Sequence, residues 1–322
     1  MKNYKYIGLL LLSIGVASCD VNNELDIIEA EVIPEVALNK NGLDFSTYIA
    51  IGASYTAGYT DGAMFKAAQE NSFPNILAGK FGTEFNQPLM NDNIGGLVYG
   101  GTAVQPPRFY FNGAGPARLP ATPTTELTTV LSGPFHNFGA PGAKSFHLGV
   151  PGYGALNPYF GRMASSAITT IMLDALAQNP TFFSLEIGPN DILGYATGGG
   201  AGTDQTGNLD PATYGDSDLT DPNVFATLFS GMVTALTANG AKGVVTNIPN
   251  VTDTPYFTSV PYNPIPLDAG TAGVVNGAYA LYNGGIQQAF AYLVAVSPMT
   301  QEMADAEIAK RTISFAAGQN AV

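Results

Sequence analysis

The sequence has 322 residues, 46% of them hydrophobic and only 11% charged, with 38 Gly, 22 Pro, one Cys and no Trp. Apolar content at this level excludes a disordered chain, and the length suffices for one large α/β domain or two small ones. The formal net charge of −13 argues against a nucleic-acid partner, whose phosphates demand a basic face.

At the amino end, Lys2 and Lys5 precede an apolar run over residues 7–16. The run is too short to span a bilayer and suits a signal peptide. It leads into Val16-Ala17-Ser18-Cys19, which resembles the lipobox of bacterial lipoproteins. That resemblance implies removal of residues 1–18 and acylation of Cys19. The chain would then be anchored to a bacterial membrane, with the outer membrane foremost. Several acyl chains hold a protein there stably, since each buried methylene adds about 0.8 kcal/mol. An ordinary secretory signal with an incidental cysteine is the alternative reading. Residues 19–43 are acidic and carry Pro34 and Asn41-Gly42, which reads as a tether ahead of a folded body over 44–322.

Within the body, short apolar runs predict strands over 48–51, 135–138, 182–187 and 244–248. A helix is predicted over 166–178, with Ile168, Ile171, Met172, Ala175 and Leu176 on one face. Others are predicted over 223–238, 270–295 and 300–317. Strands separated by such helices imply a parallel sheet covered on both sides, with ligands at the carboxyl ends of its strands. Two long loops, 86–134 and 196–222, are of the kind that form binding surfaces or lids. The second holds Asp204, Asp210, Asp216, Asp218 and Asp221. Their spacing does not match an EF-hand, so they read as a solvated acidic loop, with a calcium site as the alternative.

Three segments carry candidate chemistry. YIAIGASYTAG, residues 48–58, is a buried strand running into a small-residue turn with one serine, Ser54. A serine hydroxyl becomes a nucleophile when a base takes its proton and donors stabilise the resulting oxyanion. Alone, the segment fits an N-cap serine better than a nucleophile. HNFGAPGAKS, residues 136–145, places Gly142 in a tight loop after a strand, where glycine permits close approach to a ligand. SLEIGPND, residues 184–191, is a strand end that offers Asn190 where the next loop begins, and its amide can donate into a cleft or form an Asx-turn.

In order and spacing these segments resemble blocks I, II and III of the SGNH/GDSL hydrolase family. The resemblance covers residue 44 onward. It implies a three-layer α/β/α, flavodoxin-like sandwich with a parallel sheet, and activity as a lipid-anchored esterase or lipase on carboxylic esters of acylated carbohydrate or lipid. By the same resemblance Ser54 is the nucleophile, and Ser54 N–H, Gly142 N–H and the Asn190 side chain form the oxyanion hole. No metal or organic cofactor is implied. Ala53 and Tyr55 replace the Asp and Leu of G-D-S-L. The family's base and acid come from a late D-x-x-H block, and no histidine follows His147. The expectation is therefore a fragment lacking its last strand and helix, inactive as it stands. His136, His147 or Lys144 acting as the base is the alternative within the chain. A non-catalytic glycan- or lipid-binding envelope lipoprotein is the rival from another class.

Overall fold

Four apolar runs become the strands of one parallel sheet: β1 (Tyr48–Gly52), β2 (Asn137–Gly139), β3 (Phe182–Glu186) and β4 (Lys242–Val245). The structure is a computed structural model that describes residues 38–259 and 265–320. The expected signal peptide, Cys19 and most of the tether lie outside the described residues. Among the described residues no helix is long and apolar enough to cross a membrane.

Strand order is β2-β1-β3-β4, with Gly52 of β1 opposite Gly139 on one side and Glu186 on the other. The helices that matter here are α1 (Ser54–Ala57), α2 (Phe73–Phe81), α3 (Ile171–Leu176), α4 (Pro189–Thr197) and α5 (Pro222–Thr237). Further on come α6 (Ala269–Ala278), α7 (Ala280–Val296) and α8 (Gln301–Arg311). The chain is thus mixed α/β, with a parallel sheet flanked by helices as in a three-layer α/β/α sandwich.

Alternation along the central strands sorts two cores. Ile49, Ile51, Phe138, Phe183 and Leu185 pack with Ile171 and Ala175 of α3 and Met232 and Leu236 of α5. Tyr48, Ala50 and Phe182 pack with Ala78, Leu77 and Phe81 of α2. Because both faces are covered, β1 and β3 read as continuous apolar runs, with few polar residues to mark a face. Each fully buried aliphatic contributes about 1.5–3 kcal/mol. The polar exceptions in β3 are Ser184, whose hydroxyl shares a 2.8 Å bond with Tyr48 Oη, and Glu186 at the strand's end. Burial pushes the Tyr48 phenol up to about 12.

Three helices differ from expectation for local reasons. α3 starts at Ile171 instead of residue 166, because Thr170 Oγ1 accepts from Leu173 N and caps it. Asp174 then draws the Ser165 and Thr169 hydroxyls into a turn ahead of the helix. The predicted helix over 270–295 divides at Tyr279. The predicted helix over 300–317 stops at Arg311, since Ile313 and Phe315 pair with the side-chain amides of Asn283 and Asn276. β4 is an edge strand among the described residues and all four of its residues are exposed.

The loop over 86–134 contains two antiparallel hairpins, Leu97–Tyr99 with Thr102–Gln105 and Phe109–Phe111 with Pro116–Arg118. The second is tied to the chain leaving α1, through Phe109 N to Asp61 O at 2.7 Å and Arg118 Nη1 to Gly62 O at 3.1 Å. Tyr99 and Phe111 lie exposed on these hairpins.

Candidate active site

A strand order of 2-1-3-4 opens a crevice between β1 and β3, where successive connections leave in opposite directions; ligands of doubly wound sheets bind there. Ser54 follows β1 directly and Asn190 lies just beyond β3. The turn carrying Gly142 follows β2, on the other side of β1.

Ser54 occupies the first position of α1, with Ala53 as the N-cap residue and no side-chain cap bond. The N-cap reading of this serine therefore falls. Its side chain is half-buried, and Oγ makes no hydrogen bond among the described residues. Its N–H, at the head of the turn, has no intrahelical acceptor. Ala140-Pro141-Gly142-Ala143 forms a turn closed by Ala143 N to Ala140 O at 3.0 Å. Proline at its second position and Gly142 at φ +83° in its third make it type II, a geometry that strongly favours glycine. Asn157 Nδ2 donates to Pro141 O at 2.9 Å and holds the turn from behind.

Asn190 enters in the first turn of α4, where sequence reading expected the start of a loop. Its Nδ2 donates to Ala143 O at 2.9 Å, so the amide reaches across to the second motif instead of closing an Asx-turn. One amide hydrogen is engaged there, which orients the other. Ala140 N donates to Gly52 O at 2.9 Å, joining the ends of β1 and β2. By these bonds the three segments are interlocked at one end of the sheet.

Several supporting residues escaped the sequence reading. Asp191 is buried and accepts from Ser145 Oγ at 2.6 Å and Ser145 N at 2.9 Å, so it ties the second and third motifs together. Burial raises its carboxyl above the usual range against the pull of the Ser145 bonds. Asn137 Nδ2 donates to Thr56 O at 2.8 Å and braces α1 against β2. Glu186 Oε2 accepts from Thr56 Oγ1 at 3.1 Å and from the N–H groups of Ala53 and Thr56, each at 3.3 Å. An acid inside the apolar run FFSLEI was the available signal for Glu186. Beside it opens a cavity of about 340 Å³ whose lining includes Tyr55, Pro189 and Asn247.

The candidate bases are placed elsewhere. His136 precedes β2 and therefore sits toward the amino end of the sheet, opposite to Ser54. Its Nδ1 accepts from Asn86 N at 2.9 Å, its ring stacks on Phe85, and burial lowers its pKa. His147 Nδ1 accepts from Lys144 N at 3.0 Å, and its ring stacks on Tyr153. Burial and then the Lys144 charge push its pKa down to about 4. Lys144 is itself buried, with Nζ donating to the carbonyls of Gly215 and Asp218. None of the three is hydrogen-bonded to Ser54.

In the acidic loop the carboxylates close turns. Asp218 accepts from Thr203 N, Gly215 N and Gln205 Nε2; Asp221 accepts from Gly207 N, Asn223 N and Val224 N. Among the described residues no group of three or more His, Cys, Asp or Glu is placed to hold a metal ion. Comparison of the chain with family models, curated proteins and solved structures finds no match in any of the three.

Proposed function

We propose that this chain is an SGNH/GDSL-type serine ester hydrolase, held at the bacterial cell envelope through acylated Cys19, and that it acts on carboxylic esters of acylated carbohydrate or lipid. The observation that carries the reading is the interlocking of Ser54, the Gly142 turn and Asn190 at the carboxyl ends of three adjacent strands. In the proposed reaction Ser54 Oγ attacks the ester carbonyl carbon. The oxyanion is received by the N–H groups of Ser54 and Gly142 and by Asn190 Nδ2, and the alcohol leaves with a proton. Water then releases the acid from Ser54. Each oxyanion donor of this type contributes about 10²–10³ in rate.

The proton acceptor is assigned to no residue of this sequence, since His136 and His147 are both engaged elsewhere. That observation favours the rival reading, a non-catalytic glycan- or lipid-binding envelope lipoprotein. External imidazole separates the two. Hydrolysis of p-nitrophenyl butyrate by the chain alone is expected to be slight. Imidazole should raise it above the rate given by Ser54→Ala under the same conditions. A fluorophosphonate should also label Ser54, found by mass spectrometry of the peptide. Equal rates with and without Ser54, together with no label on it, would leave the binding protein as the better reading.

A further inference from the structure

The geometry points to Glu186 as the residue that positions the nucleophile turn, through a carboxylate oxygen that grips the chain on both sides of Ser54. This rests on the esterase reading and adds to it a role for a residue of the third segment to which that reading assigns none.

Glu186 is the last residue of β3 and stands in register with Gly52, the last residue of β1. Its backbone oxygen accepts from Ala53 N at 3.2 Å and continues the ladder. Its side chain then turns along the strand end, and Oε2 meets the N–H of Ala53, just before Ser54, and both donors of Thr56, two residues after it. One oxygen thereby fixes the two ends of a four-residue arc whose middle is Ser54-Tyr55. Both Glu186 and Thr56 are at least nine-tenths buried, so the two Thr56 donors have no water to turn to, whereas Ala53 N–H keeps the Glu186 backbone oxygen. Without an acceptor, a buried N–H loses the free energy of a whole hydrogen bond, not merely the difference from solvation.

Gly52 belongs to the same device. A Cβ there would lie 2.2 Å from Thr56 Oγ1, 2.3 Å from Glu186 O and 3.0 Å from Glu186 Oε2. Glycine is what admits the carboxyl group between the strand end and the helix. The second oxygen, Oε1, is buried with no hydrogen-bond partner. The large majority of buried side-chain polar atoms have at least one partner, so this free oxygen is an exception. Burial raises the Glu186 pKa against the pull of its three donors.

Fluorophosphonate labelling of Ser54 tests this in the full chain, with imidazole as external base. In that step Ser54 Oγ bonds to phosphorus, the P–F bond breaks, fluoride departs and the hydroxyl proton passes to imidazole. Glu186→Ala should slow labelling about 10²-fold, the scale expected when a reacting group is displaced by about 1 Å. Near-UV circular dichroism, measured on the same samples, gives the folded fraction. Glu186→Gln keeps an acceptor oxygen and should recover at least about tenfold of that loss. Thr56→Val, which removes one donor and leaves the carboxyl, should slow labelling several-fold and decides the matter if Glu186→Ala does not fold. Labelling at the wild-type rate in folded Glu186→Ala, or in Thr56→Val where the alanine variant is unfolded, overturns the positioning role alone. Absence of label from wild-type Ser54 overturns the esterase reading and this inference with it.

Discussion

Asp191→Ala removes the acceptor that joins the Gly142 turn to the Asn190 helix. Two donors on one residue depend on it, Ser145 Oγ at 2.6 Å and Ser145 N at 2.9 Å, and both residues are buried. Each stranded buried donor costs about 1–3 kcal/mol, and a water entering the vacated space returns part of that. The expected loss is therefore about 3 kcal/mol, a large share of the roughly 5–15 kcal/mol that holds a domain together. Urea unfolding at pH 7 measures it by far-UV circular dichroism. Ser145→Ala and the double variant complete a cycle whose coupling should be about 1–2 kcal/mol, because only the hydroxyl arm is shared. The pH dependence has a definite sign. The folded Asp191 pKa is raised above its ordinary 3.8, so its contribution is complete below that value and declines as pH rises through the raised one. The advantage of the wild type over Asp191→Asn should shrink across that window. A loss below about 1 kcal/mol for Asp191→Ala, or strict additivity in the cycle, would refute the staple.

Other substitutions test the sheet and the acidic loop. Gly52→Ala forces a methyl group into Thr56 Oγ1 and the Glu186 carbonyl and should cost at least about 1–3 kcal/mol in urea unfolding. Tyr48→Phe strands the buried Ser184 hydroxyl, with an expected loss of about 1–2 kcal/mol in the same assay. Asp218 and Asp221 are held below the carboxylate range chiefly by backbone N–H bonds, from Thr203 to the first and from Gly207 to the second. Their contribution is present above 3.8 and lost as pH falls through the lowered values, so limited proteolysis below about pH 4 should cut within 203–221 before it cuts the sheet.

The two central strands were legible because a parallel strand buried on both faces leaves an uninterrupted apolar run, and the runs read for β2 and the exposed edge strand β4 overlap those strands. Ser54, Gly142 and Asn190 were legible as turn chemistry at strand ends. Their connections were not, since Asn190 to Ala143 and Asp191 to Ser145 join residues more than 40 positions apart. Helix ends were blurred by side chains reaching backbone. Thr170 sets the start of α3, and Asn276 and Asn283 draw the chain after α8 into an extended course. α2 went unread because its sequence, FPNILAGKF, carries proline in its first turn and contains glycine, and its helix is fixed by packing on Tyr48 and Phe182.

The two histidines offer the sharpest remaining test of how the site divides its labour. Each uses Nδ1 to accept a backbone N–H, from Asn86 or from Lys144, and each stacks on an aromatic ring. A ring held in this way is a structural acceptor, and a pKa near 4 leaves His147 a weak proton acceptor at neutral pH. Asparagine places an acceptor oxygen close to the Nδ1 position without a titratable ring. His136→Asn and His147→Asn should therefore cost stability on the order of 1 kcal/mol each and leave imidazole-assisted labelling of Ser54 within about twofold. A base lost from the mechanism would instead cost about 10²–10⁴-fold in the reaction without imidazole. If either variant, folded and at neutral pH, loses labelling on that scale only when imidazole is withheld, that histidine is the missing base and its structural bonds give way when ligand binds.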